Sequence, residues 1–579
     1  MNTASELSTA LQEAKQKGDF FGTLSSLTPR PGDDDRAAFL ELLASLHNDG
    51  AIDLVAEFAE LRNEPTSHDF FLTRYIFQGV LPDLNAPADQ TARTVVHLVS
   101  QAGQDGTSHW PLEAYRAYLD RAPNRPTETL AAIEAESASL ALLLPITVAA
   151  GFISAPSYFT ENVIRLTDSP VAELQRMSLF SFRDVPLEAD GTIPPKVLFT
   201  LETIVEKADQ DGNLAAILSA AVTLRTRDDS ARERLLEVIR KALEQGGDWT
   251  LGAAAEVFGL QTKDLDAALL ELLSQQLRTR VKANTMALQS IDFGVSSLLG
   301  TVHCTVALDV LDELLTRLAG SVELKDFSCS ISTVASTPEL RSLVITRWLT
   351  SGKMTLCKAA EDAIQHSHSD NISIDADSSQ LKSLDELGLV LLAQKAVGFL
   401  FVWPITASSF VISLMRIGAI EPLKQLLLDP LLLNYTGSVR ELLQARAEVE
   451  AEPVAEALRE CIERIDAYLA EIHTAIGIRE LRPSSEHRAI FHKTLTQKLS
   501  KSFEAARKSM PLLSLIKRSI VLHGRGSVQQ VVHHEGSTHR ADMKVGTYGN
   551  EFTLPRMTHI DELGLHLELR LLRAGKIRK

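Results

Sequence analysis

The chain is 579 residues long, with 45% hydrophobic, 6% aromatic and 23% charged residues and a formal net charge of −17. That composition excludes an intrinsically disordered chain, and the length exceeds one ordinary core, so several domains or a repeat array are expected. Four cysteines (Cys304, Cys329, Cys357 and Cys461) stand far apart with no C-x-x-C, which argues against a zinc site or a disulfide framework and fits the cytoplasm.

The opening residues, Met1 to Glu6, have neither a basic n-region nor an apolar h-region, so no signal peptide is read. Residues 1–450 then read as short amphipathic helices. Arg36–Leu46, Ile52–Leu61, Arg232–Leu243, Leu265–Leu277, Val306–Leu318 and Leu340–Leu349 are the clearest. Ser230, Ser336, Ser383 and Ser438 each precede a glutamate by three positions, a capping-box spacing that marks helix starts. Two stretches imitate membrane spans, Ser137–Thr160 and Leu387–Met415. Pro145 and Gly151 interrupt the first, and Lys395 and Pro404 the second, so both read as buried helices.

Helix pairs begin near Pro194, Ser230, Lys263, His303, Pro338 and Gln380, at intervals of 36, 33, 40, 35 and 42. One such pair cannot bury its apolar face alone, so neighbours are expected to stack. By period and helix character this region resembles the HEAT/armadillo α-solenoids, over roughly residues 30–450. The resemblance implies a curved stack that presents a surface to protein partners. No strict consensus repeat is present.

Residues 451–510 read as connecting long helices. Arg446–Ile476 is followed by a break at Gly477 and Pro483-Ser484-Ser485, then by a helix over Glu486–Met510. There Phe491, Leu495, Leu499, Phe503, Ala506 and Met510 share one face, while Lys493, Lys501 and Lys508 line the other. After Pro511 the pattern alternates. Ser519–His523, Val528–His533 and Arg540–Val545 read as strands, with turns at His523–Gly526 and His534–Ser537. Five leucines from Leu563 to Leu571 occupy every second position, which reads as a strand, with a terminal helix as the competitor because Leu, Glu and Arg favour helix. The fold class expected is therefore mainly α, a HEAT-like solenoid with a small antiparallel α+β module over residues 511–579.

Charge divides the chain. Residues 478–579 hold 19 Lys+Arg against 9 Asp+Glu, a net of +10; with −17 overall, residues 1–477 carry −27. A basic end neutralises phosphates, and the expected nucleic-acid contacts are Lys493, Lys501, Lys508, Arg525, Arg540, Lys544, Arg570, Arg573, Lys576, Arg578 and Lys579. In Gly524-Arg525-Gly526-Ser527 the glycines permit close backbone approach and the arginine offers a planar fork, against the plain reading of a tight turn. Only Tyr548 and Phe552 lie in residues 511–579 as stacking aromatics, so base stacking is not strongly signalled.

Catalytic signatures are missing: there is no Walker A, G-x-S-x-G or H-E-x-x-H motif. His303 and Cys304 are adjacent, so on a helix they diverge by about 100° and make no nucleophile pair. His533, His534 and His539 around Glu535 form a weak candidate metal set, and His366, His368 and Asp370 a weaker one; both compete with solvated loops. No cofactor is expected. The reading is a non-enzymatic interaction subunit with protein partners on the repeat surface, nucleic acid on residues 478–579 and no membrane. The alternatives are a pure scaffold whose basic tail docks an acidic partner, and an enzyme built around His533, His534, His539 and Arg525. Such an architecture resembles accessory subunits of bacterial multi-protein machines, anti-phage defence systems among them.

Overall fold

The structure, a computed structural model, describes the chain except residues 1–3, 30–34, 65–68, 104–108, 284, 368–371, 476, 479–482, 510–525, 533–537, 545–553 and 576–579. Its residues fall into two compact units, Met1–Val334 and Ala335–Lys579.

In the first unit ten consecutive helices form a two-layer array. They are α1 (Leu144–Ser154), α2 (Pro156–Leu166), α3 (Ala172–Ser181), α4 (Pro195–Lys207), α5 (Asp211–Arg227), α6 (Arg232–Gln245), α7 (Asp248–Leu260), α8 (Ala267–Arg280), α9 (Thr285–Leu299) and α10 (Cys304–Arg317). Odd-numbered helices pack on one another in sequence, α1 on α3 through to α9, and even-numbered ones do the same from α2 to α10. The even helices from α4 onward start at intervals of 37, 35 and 37 residues, so the repeat is a helix pair. The expected helices appear with small boundary shifts, but the capping boxes do not hold. Asp385, not Ser383, accepts the amide of Gly388, and Thr337 precedes a proline-started helix without a side-chain cap bond. Carboxylates compete well for exposed helix-start amides, which is why the position of the start is easier to read than the cap itself.

Polar staples tie each repeat to the next. Asp211, at the start of α5, accepts from the backbone N–H groups of Gly247 (2.6 Å), Trp249 (2.7 Å) and Thr250 (3.2 Å), which open α7. Asp292 of α9 likewise accepts from Cys329 and Ser330 (both 2.8 Å). Arg280 donates to the carbonyls of Leu243 and Gly246 at the end of α6, and Arg317, 37 positions later, to those of Arg278 (2.9 Å) and Val281 (2.6 Å) at the end of α8. Anions thus sit at helix starts and cations at helix ends, where the orphan backbone groups and the dipole favour them. Close backbone approach also matters. A Cβ on Gly259 would lie 2.5 Å from the Ser290 carbonyl oxygen, and one on Gly294 would lie 2.5 Å from the Phe258 ring.

The staples predict a pH dependence. Burial alone would raise the pKa of Asp211, but hydrogen bonds from Thr250, Gly247 and Trp249 outweigh it and hold the carboxyl below its ordinary value. Asp266 is lowered for the same reasons, burial being outweighed by the Leu269 amide and Arg225. A depressed folded-state pKa gives stability that is fully present above the unfolded value of about 3.9 and is lost as pH falls on through the lower folded-state value. Asp211→Asn is therefore expected to lower the unfolding temperature at pH 7, with the gap to wild type closing toward pH 3. A gap that stays constant over that range contradicts this account.

The second unit is built round α11 (Glu386–Leu400) and α12 (Pro404–Met415), whose side chains are mostly buried. They are the two halves of the apolar stretch expected to be core. The other stretch contains one segment, Ser137–Ser154, long and apolar enough to cross a membrane; 56% of it is buried inside the fold. Two longer helices follow, α13 (Val454–Ala475) and α14 (Ser485–Ser509), then a two-stranded antiparallel ladder, β1 (Gly526–Val532) with β2 (Thr538–Lys544), and α15 (Glu562–Ala574).

The expected antiparallel module over residues 511–579 is corrected here; the described fold is mainly α. The five-leucine run, expected as a strand, is α15, started by the Asp561 carboxylate accepting the Gly564 amide at 2.8 Å. Alternation advances 200° per leucine around a helix and so splits the leucines between two sides. Leu565 and Leu569 are buried against the rest of the unit, each worth roughly 1.5–3 kcal/mol, while Leu563, Leu567 and Leu571 are 81%, 61% and 66% exposed. One isolated two-stranded ladder is marginal alone and does not make a module. The expected strand at Ser519–His523 and both expected turns lie outside the described residues, apart from Gly526, which opens β1.

Candidate nucleic-acid interface

The basic candidates are carried by three elements. On α14, Lys493 and Lys501 are exposed, and Lys508 lies two turns further along the same helix. No carboxylate stands within ion-pair distance of Lys493 or Lys501 among the described residues. Lys498 differs: its Nζ lies 2.8 and 3.0 Å from the Glu562 carboxylate oxygens, joining α14 to the start of α15. That hydrogen bond also holds the Glu562 carboxyl below its ordinary pKa. On β2, Arg540 stands opposite Gln530 and Lys544 opposite Gly526 in the ladder.

On α15 the two arginines separate. Arg570 is exposed, whereas Arg573 is half-buried: its Nε donates to the Gly398 carbonyl (2.6 Å) and its guanidinium lies 5.2 Å over the Phe399 ring. Buried Lys395 completes the lock by donating from Nζ to the Arg573 carbonyl (3.1 Å), a cation at a helix C-terminus. Upstream, buried Asn434 accepts from the Met557 amide (2.9 Å), and its own carbonyl accepts from the Arg556 amide (3.2 Å). Arg573 thus anchors the helix, and no spacing in the sequence distinguishes it from Arg570.

Arg525, Lys576, Arg578, Lys579, His533 and His534 lie outside the described residues, and His539 sits on β2 opposite Val531. His366 Nδ1 is 2.8 Å from the Asp362 carbonyl; His368 and Asp370 lie outside the described residues. Among the described residues no group of three His, Cys, Asp or Glu is placed to hold a metal ion. None of the four cysteines forms a disulfide among the described residues.

Sequence reasoning missed a groove in the first unit. It runs over α1, α3, α5 and α7, encloses about 450 Å³, and has Arg176, Phe180, Arg183 and Trp249 on its walls. Arg176 and Phe180 lie on α3, Arg183 on the turn that follows it and Trp249 on α7, so only the stacking brings Trp249 to the other three.

The two units together define a helical-repeat protein carrying an exposed basic helix. No family model matches the chain, and no curated protein does. Two solved structures align with most of it. One is an engineered protein, 12% identical over 80% of this chain and 99% of its own, with a TM-score of 0.19. The other is described as "A conserved phosphorylation switch controls the interaction between cadherin and beta-catenin in vitro and in vivo"; it is 16% identical over 79% of this chain and 87% of its own, with a TM-score of 0.22. At such scores neither likeness carries an argument.

Proposed function

We propose that this protein is a non-enzymatic, HEAT/armadillo-like interaction subunit whose stacked body takes protein partners and whose basic C-terminal part holds nucleic-acid phosphates. The observation that carries the second half is the pair of exposed lysines, Lys493 and Lys501, on α14. Lys493 and Lys501 face water without a carboxylate partner among the described residues, in a segment of net +10. Elsewhere many surface cations are paired: Arg234 with Glu202, Arg416 with Glu450 and Asp375, Arg440 with Asp466. Bare cations on one helix suit a polyanion, since each phosphate contact releases condensed counterions. Four cysteines spread along the chain without a disulfide among the described residues support a reducing cytoplasm as its setting.

The test is fluorescence anisotropy of the full chain with unrelated duplexes and single strands, at low and physiological salt. Affinity is expected to fall steeply with salt. Changing Lys493, Lys501 and Lys508 together to glutamate should weaken binding to every sequence alike, because phosphate contacts carry little base information. The salt slope should become shallower by about 0.9 for each duplex phosphate that is no longer neutralised. No binding by wild type at low salt overturns the proposal in favour of a scaffold whose basic end docks an acidic protein. Binding indifferent to the three lysines moves the binding surface to Arg570 and the residues around it.

A further inference from the structure

We infer that the groove over α1, α3, α5 and α7 docks a peptide segment of a partner protein in which apolar side chains alternate with carboxylates. The inference rests on the reading of the stacked body as a partner-binding surface, and names what that surface recognises. Small side chains make the floor: Ala215, Ala216 and Ser219 follow one face of α5. A floor of small residues leaves room for an incoming side chain, and 450 Å³ is within the range of ligand pockets. Trp249 forms one wall and is 63% exposed, so its indole is accessible to an incoming side chain.

The polar chemistry of the walls is what selects the partner. The Arg183 guanidinium lies 4.1 Å over the Phe180 ring, and that of Arg176 5.2 Å over Trp249. A guanidinium held over a ring keeps in-plane N–H groups that a further acceptor can use. Arg176 donates from one amino group to Glu173 (2.5 Å), and Arg183 from its Nε to Asp184 (3.3 Å). Both Nη groups of Arg183 and the indole N–H of Trp249 remain without an acceptor among the described residues. Besides Glu173 and Asp184, which pair with these arginines, the groove lining holds one further carboxylate, exposed Glu256. Fixed donors beside an apolar floor, inside a body that is otherwise strongly acidic, complement a carboxylate next to an apolar side chain. A planar guanidinium edge matches a carboxylate with two parallel hydrogen bonds.

The experiment uses the full chain and three fluorescein-labelled hexapeptides: leucine alternating with glutamate, with glutamine, and with lysine. The glutamate peptide is expected to bind at least tenfold more tightly than the other two. Arg183→Gln should remove about tenfold of that affinity and most of its preference over the glutamine peptide. Trp249→Ala should weaken the glutamate and glutamine peptides equally. Unchanged thermal unfolding of both variants shows that the fold is intact; should Trp249→Ala unfold, Trp249→Phe replaces it. Equal binding of all three peptides, no binding at 1 mM, or glutamate-peptide binding unaffected by Arg183→Gln overturns the inference, as does displacement of that peptide by an oligothymidylate. Nucleic-acid binding is measured on the same variants and should not change, because the groove and the basic helix belong to different units. A groove that fails therefore leaves the phosphate reading standing, and the reverse holds too.

Discussion

Leu400→Asp is expected to unfold the second unit while leaving the first in place. Leu400 ends α11, is fully buried, and lies among Ala396, Val397 and Phe401, which are buried too. A carboxylate there loses its hydration and gains no partner, a cost of about 4 kcal/mol or more, which is a large part of the stability of an ordinary unit. Leu400→Met, close in volume, should cost less than about 1.5 kcal/mol. Hydrogen exchange read by segment is the decisive measurement. Protection should collapse across α11 and α12 in the aspartate variant and persist in α5 to α8. Wild-type protection of α11 in that variant contradicts the burial described above.

Gly398→Val should free α15 and do little else at first. A Cβ at position 398 would lie 2.9 Å from Arg573 Cγ and 3.1 Å from the Arg573 backbone nitrogen. The second of these is main chain and cannot swing aside, so the whole helix has to move. Its departure breaks the Arg573–Gly398 hydrogen bond and strips buried Lys395 of its acceptor, together worth roughly 3 kcal/mol. Exchange should rise over residues 562–574 well before it rises in α12. Gly398→Ala, with less to accommodate, should show the same order of events more weakly. Equal destabilisation of both helices would mean that α15 is not a separable element.

Much of the first unit was legible in the sequence because its signal is local and repeated. Helix starts recur at the interval of one helix pair, and aliphatic periodicity marks the helices between them. The C-terminal misreading has an equally local cause. Leucines at every second position satisfy a strand template, yet their neighbours Glu562, Glu568 and Arg570 are good helix formers, and the partner surface on α11 decided for helix. The basic stripe on α14 could be drawn from sequence because a single helix carries it. The roles of Arg573 and Arg570 could not, since they differ only in what Gly398, 175 positions away, presents to one of them. The groove was invisible for the same reason: Arg176 of α3 and Trp249 of α7 meet across helices that only the stack aligns.

The anchor between Gly398 and Arg573 also bears on how the protein is made. Its partners are separated by 175 positions, and Lys395 and the Arg573 carbonyl by 178. At roughly 5–20 residues per second, a ribosome needs about 10–35 s to pass from one to the other. Throughout that interval α11 has emerged with the surface meant for Leu565 and Leu569 uncovered and with a lysine awaiting its acceptor. The first unit has no such delay, because its staples join residues about 37 positions apart and close within seconds of synthesis. Nascent chains stalled between positions 400 and 560 should therefore recruit chaperones, whereas those stalled just past position 334 should not.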